Sequence, residues 1–217
     1  MAVSLPNGII LSLGTTVAPD KSITAVTNAS PAVASSASHG MSAGAIFVLK
    51  SGWARANERA FRVGAGPASG TFPIEGLDST STTAFPSGSG TGSFAEITGF
   101  TQISQVLDLT TSGGEMQFTQ YSFLEQDFES QLPTQSSAQS LTLSIADDAS
   151  LAGYHALKSA ADARIARVLR AVFPNGSVLL YYGYVSFNET PSMTKNEVMA
   201  CQATFSLLSK PVRYATA

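Results

Sequence analysis

In the run RIARVLRAVFPNGSVLLYYGYVSF, two stretches rich in apolar and β-branched residues meet at Pro174, Asn175 and Gly176. Asn-Gly between such stretches readily takes the positive φ angles of a tight hairpin turn, so this segment commits the chain to antiparallel strands. The alternation recurs in SLTLSIA, where Leu141, Leu143 and Ile145 stand against Thr142 and Ser144, the pattern of a strand with one buried face. GIILSLGTTVA predicts an N-terminal strand bounded by Pro6, Asn7 and Gly8 on one side and Pro19 and Asp20 on the other. EITGFTQISQVLDLTT and EMQFTQYSFLE read as a strand pair turning at Ser112, Gly113 and Gly114, since glycine reaches the φ that a turn needs. NETPSMTKN is then a loop, EVMACQATFSLL the last strand, and Lys210 to Ala217 a tail. One helix interrupts the strands. Asp147, Asp148 and Ser150 offer capping oxygens and negative charge ahead of Leu151, Tyr154, His155, Leu157 and Lys158, which fall at helical spacing.

Residues 21–95 have a different texture. SITAV, AIFVLKS, AFRVG and TFPIEGL are short strand-like pieces separated by Gly, Pro, Ser and Asn clusters, and FPSGSGTGS closes them like a flexible connection. The expected fold class is therefore mainly β: an antiparallel β-sandwich with one flanking α-helix from residues 1–20 and 94–217, plus an inserted small all-β domain over 21–93.

The chain has 217 residues, ample apolar content for a core, and only 12% charged residues. So few charges leave little to oppose association, which favours assembly. The charges are also segregated. Between Val63 and Leu157 the acids Glu75, Asp78, Glu96, Asp108, Glu115, Glu125, Asp127, Glu129, Asp147 and Asp148 occur without a single lysine or arginine. A surface built from that stretch repels polyanions. No run of about 18 apolar residues suggests a membrane span, and the start MAVSLPNGIILSLG has neither a basic region nor a cleavage site, so no membrane anchor and a cytosolic origin are expected. Cys201, within an alternating run, reads as a small core residue.

Catalytic, metal and cofactor sites are not indicated. His39 reads as a turn residue and His155 as a partly exposed helix residue, and no Gly-x-Ser-x-Gly, His-Glu-x-x-His or paired-cysteine pattern occurs. The segment from Phe123 to Gln135 reads as a long loop that mixes Glu125, Asp127 and Glu129 with Phe128 and Leu132, a composition suited to docking on a partner rather than to holding calcium. In the tail, Arg213 and Tyr214 are placed to reach a neighbour's carboxylates. Arg164, Arg167 and Arg170 read as one strand with Arg164 and Arg170 on a common face, suited to salt bridges between subunits. Trp53, Tyr181 and Tyr182 offer an alternative, a sugar-stacking platform on a decoration or adhesin module.

Together, the order of strands around one helix and the phrases PNGSVLLYYGYVS and NETPSMTKNEVMACQATFSL resemble the major tail tube protein of long-tailed, non-contractile bacteriophages, over residues 94–213 and the first strand. Residues 21–95 are similar to a small β module found in phage structural proteins, except that Ala45 stands where that module commonly has an acid after the glycine. The resemblance implies hexameric rings stacked into a hollow tube around a tape measure protein, with tail terminator or tip proteins at its ends and DNA passing through the bore. It also implies a location in the virion tail after assembly in the host cytoplasm. On that reading Asp108 and Glu115 line the bore, Glu125, Asp127, Phe128, Glu129, Leu132, Arg213 and Tyr214 join successive rings, and the inserted domain sits on the tube exterior.

Overall fold

The computed structural model describes residues 7–215; Pro6 and the tail residues Thr216 and Ala217 lie outside them. The chain runs β1 (Ile10–Val17), β2 (Lys21–Ile23), β3 (Ala25–Val26), β4 (Ala32–Ser35), β5 (Ile46–Ser51), β6 (Arg59–Val63), β7 (Thr71–Glu75), β8 (Gly92–Ile103), β9 (Val106–Gly113), β10 (Met116–Tyr121), β11 (Ser130–Ser136) and β12 (Gln139–Ala146). The one helix among the described residues, α1 (Ala152–Ala163), follows, then β13 (Arg167–Val172), β14 (Val178–Ser192), β15 (Ala200–Leu207) and β16 (Val212–Tyr214). The fold is mainly β and antiparallel, and one sheet carries the order β3-β4-β7-β6-β5-β8-β1-β13-β14-β15-β12-β9.

The turn at Asn175 and Gly176 forms as expected: β13 and β14 pair from Arg167 opposite Gly183 to Val172 opposite Val178, and Gly176 takes φ 78°. Strand alternation then buries both faces of this hairpin. Leu169, Ala171, Tyr181 and Val185 point to a core shared with Tyr154 and Leu157 of α1, while Val168 and Leu180 point the opposite way. The helix begins without the expected cap. Asp148 Oδ1 instead accepts from the backbone N–H (2.9 Å) and hydroxyl (2.6 Å) of Ser150, closing a local turn, and Leu151 occupies the N-cap with no side-chain bond.

The expected flexible connection and separable module need correction. β8 belongs to both lobes: Gly92–Glu96 pair with β5, and Ile97–Ile103 with β1. Phe47, Phe61, Phe72 and Phe94 of the small-strand lobe lie in one buried cluster with Ile97, Val168, Leu180, Val212 and Tyr214. FPSGSGTGS is fixed in place. Trp53 packs edge-on against Phe85 and donates from Nε1 to the Pro86 carbonyl (2.8 Å), and a Cβ on Gly90 would lie 2.9 Å from the Trp53 ring. The lobe is thus a second layer over the Val168 and Leu180 face of β13 and β14, with α1 covering the opposite face.

The tail is likewise a strand: β16 pairs with β14, and Tyr214 is 3% exposed. Its hydroxyl accepts from the Arg62 N–H (2.9 Å) and donates to the Glu75 carbonyl (3.2 Å), and burial raises its pKa. The Arg62 guanidinium, held bidentate by Glu75, lies 4.5 Å from the Tyr214 ring centre.

His39, directly after the turn at Ala37 and Ser38, is buried. Nδ1 accepts from the Met41 N–H (2.9 Å), Nε2 reaches the Ala68 carbonyl (2.5 Å), and the ring packs on Phe72. Replacing it with alanine strands two buried backbone groups and opens a void, so His39→Ala is expected to cost about 2–4 kcal/mol in urea unfolding. A change within about 0.5 kcal/mol would mean that these bonds contribute nothing net.

Candidate functional site

Two surfaces stand out, and both arise from what precedes and follows Gly113 and Gly114. The first is a polar sheet face. Leu141, Leu143 and Ile145 of β12 turn toward α1, so Ser140, Thr142 and Ser144 turn away, and the register carries this across four strands. Asp108, Ser144, Gln202 and Asn188 form one row across β9, β12, β15 and β14; Thr110, Thr142, Thr204 and Ser186 form the next; Ser112, Ser140, Ser206 and Tyr184 form the third. This face carries hydroxyls and amides, the single carboxylate of Asp108, and no cation. An exposed sheet face this poor in apolar groups is built for water.

Its two edges are open among the described residues. β9 ends the sheet order, and β14 has no strand on the β13 side beyond Gly183. Unpaired backbone donors and acceptors along both edges are templates for pairing with another copy.

The second surface is an arm. Gly113 and Gly114 do not turn the chain: β9 pairs with β12 as far as Gly113 opposite Gln139, and β10 then pairs with β11 from Met116 opposite Ser136. The glycine turn expected there is a bend in one long hairpin. Both glycines have positive φ, a Cβ on Gly113 would lie 2.0 Å from the Ala138 carbonyl oxygen, and Ser137 Oγ accepts from the N–H groups of Gly114 (3.0 Å) and Glu115 (3.2 Å).

The turn comes at the tip, where the Gln126 N–H reaches the Phe123 carbonyl. Every residue from Thr110 to Glu129 is exposed. Met116, Phe118, Phe123, Leu124, Phe128 (78% exposed) and Leu132 are all without a core. A two-stranded ribbon is marginal in water by itself, and an apolar one needs a partner surface. Leu132 lies in β11 opposite Thr119, so the expected loop from Phe123 to Gln135 is confined to the tip.

The other candidate residues are scattered. Asp108 belongs to the polar face, whereas Glu115 lies past the bend, at the foot of the arm. Glu125, Asp127 and Glu129 are exposed at the tip. Among the described residues no group of three His, Cys, Asp or Glu converges as a metal site would require. Arg213 is exposed over the Phe173 ring (4.9 Å), but Tyr214 is committed within the subunit, which removes it from contact with a neighbour.

The arginine strand also needs correction. Arg164 is the left-handed C-cap of α1 (φ 52°), outside β13, so it shares no strand face with Arg170. Arg167 donates to the Thr15 carbonyl (3.4 Å), and Arg170 stacks on Phe100 (4.2 Å) with its pKa lowered by burial. Of the three, Arg164 alone is exposed. Trp53 and Tyr181 are buried and Tyr182 is half-buried, so the sugar platform is not assembled. Cys201 is buried as expected, and burial with a contact to Asp147 pushes its thiol up to about 11.

The family model of the phage tail tube protein, TTP, matches residues 51–216, more than half of the chain. The chain belongs to the phage tail tube protein family. A search of curated proteins found no match. Its role is structural: a tail tube protein self-assembles into the tube and is a component of the virion tail. The matched span starts at the end of β5 and so takes in part of the lobe over residues 21–93.

Proposed function

We propose that this tail tube protein forms hexameric rings that stack into a tube, with the face of β9, β12, β15 and β14 turned to the bore as the wall of a DNA conduit. The observation that carries the reading is that three-row face of hydroxyls and amides, with Asp108 its one charge and open strand edges on both sides. Pairing β9 of one copy with the free stretch of β14 in the next closes a ring by a repeated heterologous contact and leaves neither of these two edges exposed. Arg164 lies on the outer rim of α1, available to a neighbour's carboxylate.

Such a wall neither grips nor excludes a polyanion. Lysines there would hold DNA by releasing its counterions, while hydroxyls and amides stay hydrated and leave the phosphates mobile. Asp108, repeated around each ring, adds a weak negative collar. Glu115, at the foot of the arm, extends that charge only if the bend keeps it on the bore side. The same wet surface suits loose packing of a tape measure protein before DNA enters. The unstacked faces of the terminal rings are the surfaces for tail terminator and tip proteins.

Negative-stain microscopy of purified protein is expected to show rings or tubes, and exclusively monomeric particles at high concentration would contradict the proposal. Asp108→Lys is expected to leave tubes intact yet slow genome passage by roughly tenfold or more at low salt, with the defect shrinking as salt rises. Ejection at the normal rate in low salt would remove Asp108 from the bore.

A further inference from the structure

We infer that the groove at the foot of the arm receives the acidic arm tip of a second copy of this chain. The inference rests on the tube reading above and names the surface that one ring offers the next. The groove, about 1090 Å³, lies between the loop before β6, the arm base and the connection from β15 to β16. Its charged lining is all of one sign: Arg55, Arg59 and Lys210. Among the described residues none of the three has an ion-pair partner; the pairs are Lys50 with Asp20, Arg62 with Glu75 and Lys158 with Glu189.

Arg59 is held ready. Its guanidinium stacks over Phe61 at 5.1 Å and donates to the Arg55 carbonyl (3.2 Å), while its Nε is buried with no acceptor. Burial lowers its pKa, which marks a charge desolvated without a counterion. Met116 and Leu208, both exposed, supply apolar lining beside these cations.

The arm tip is the complement. Glu125, Asp127 and Glu129 have no cation within ion-pair distance among the described residues, and Leu124 and Phe128 stand exposed beside them. Three unpaired acids with apolar side chains match three unpaired cations with an apolar lining.

The tip cannot fold back into its own groove. Met116 and Thr134–Ser136 of the arm base form one wall of it, and the β10–β11 pairing keeps the ribbon extended. At about 3.4 Å per residue, β10 from Met116 to Tyr121 carries the tip roughly 17 Å beyond that wall. Any tip in the groove therefore belongs to another molecule. Tip into groove is a heterologous contact, and one directed along the tube axis propagates without closing, which is what stacking rings requires.

A charge-exchange experiment tests this. Reversing the groove with Arg55→Glu and Lys210→Glu, or the tip with Glu125→Lys and Asp127→Lys, is expected to raise the concentration needed for tube growth at least about tenfold. Both reversals in one chain should restore growth. Tubes from the unmodified protein, with no rescue in the combined chain, would overturn the groove assignment and leave the tube reading standing. Failure of the unmodified protein to form tubes would remove both.

A second measurement does not depend on reversed charges. A chain with Arg55→Cys mixed with a chain carrying Asp127→Cys should form a disulfide between the two chains on oxidation, since native Cys201 is buried. Assembled tubes that give no such heterodimer, or a groove cysteine that cross-links to a different protein, would contradict the inference.

Discussion

Joining Gly114 directly to Ala138, which deletes Glu115–Ser137, is expected to give a folded monomer that no longer elongates into tubes. Gly113 and Gln139 already face each other in the β9–β12 ladder, so the deletion leaves a two-residue connection, Gly114-Ala138, with glycine where a tight hairpin turn needs positive φ. The removed ribbon has every side chain from Glu115 to Glu129 exposed, so its loss takes nothing from the core. Unfolding free energy should change by less than about 1 kcal/mol, because a shorter loop costs less to close and no packing is lost. Tube growth should fall below detection by sedimentation and microscopy. Normal tubes from this variant would show that the arm does not join subunits.

Excision of Lys21–Gly92 behind a short Gly/Ser bridge is expected to destroy the fold. On sequence pattern alone the segment is a separable insertion, and excision should preserve the sandwich. In the structure it uncovers Ile97, Val168, Leu180, Val212 and Tyr214, which share one buried cluster with the lobe. At about 1.5–3 kcal/mol for each large apolar side chain, the loss is of order 10 kcal/mol, comparable with the whole stability of a domain. The N-terminal half of β8 also loses β5 and β2, and the Tyr214 hydroxyl loses both of its partners. Circular dichroism and dye binding should report an unfolded or molten chain. A cooperatively unfolding product with native strand content would show that the lobe is independent after all.

The residue pattern carries local structure well and layer assignment poorly. Asn175-Gly176 between apolar runs and the alternation of Leu141, Leu143 and Ile145 each specify their element, because turn geometry and a two-residue period are local properties. Gly113-Gly114 shows the limit. Positive φ serves a turn and a bend equally well, and only the pairing of β10 with β11 distinguishes the two.

The lobe over residues 21–93 misleads for a related reason. Short strands between Gly, Pro and Ser clusters look like a closed module, but nothing in their period says whether Phe47 and Phe72 bury each other alone or also Val168 and Leu180. Tyr214 illustrates the same gap, since its partners Arg62 and Glu75 are remote in sequence.

The polar face was half legible. Ser, Thr and Gln in the strands around Asp108 signal a wet surface, while its extension across β15 and β14 depends on register. The arm's apolar tip was visible in Phe128 and Leu132, but the groove combines Arg55, Arg59 and Lys210 from distant parts of the chain.

A density map of the assembled tube, at a resolution that separates strands, tests the central claim most directly. The account predicts the rows of Asp108, Thr110 and Ser112 on the inner wall, β9 paired with β14 of the adjacent copy, and α1 away from the bore. A map with α1 or the lobe of β2–β7 lining the channel, or with the polar face buried between rings, would contradict it.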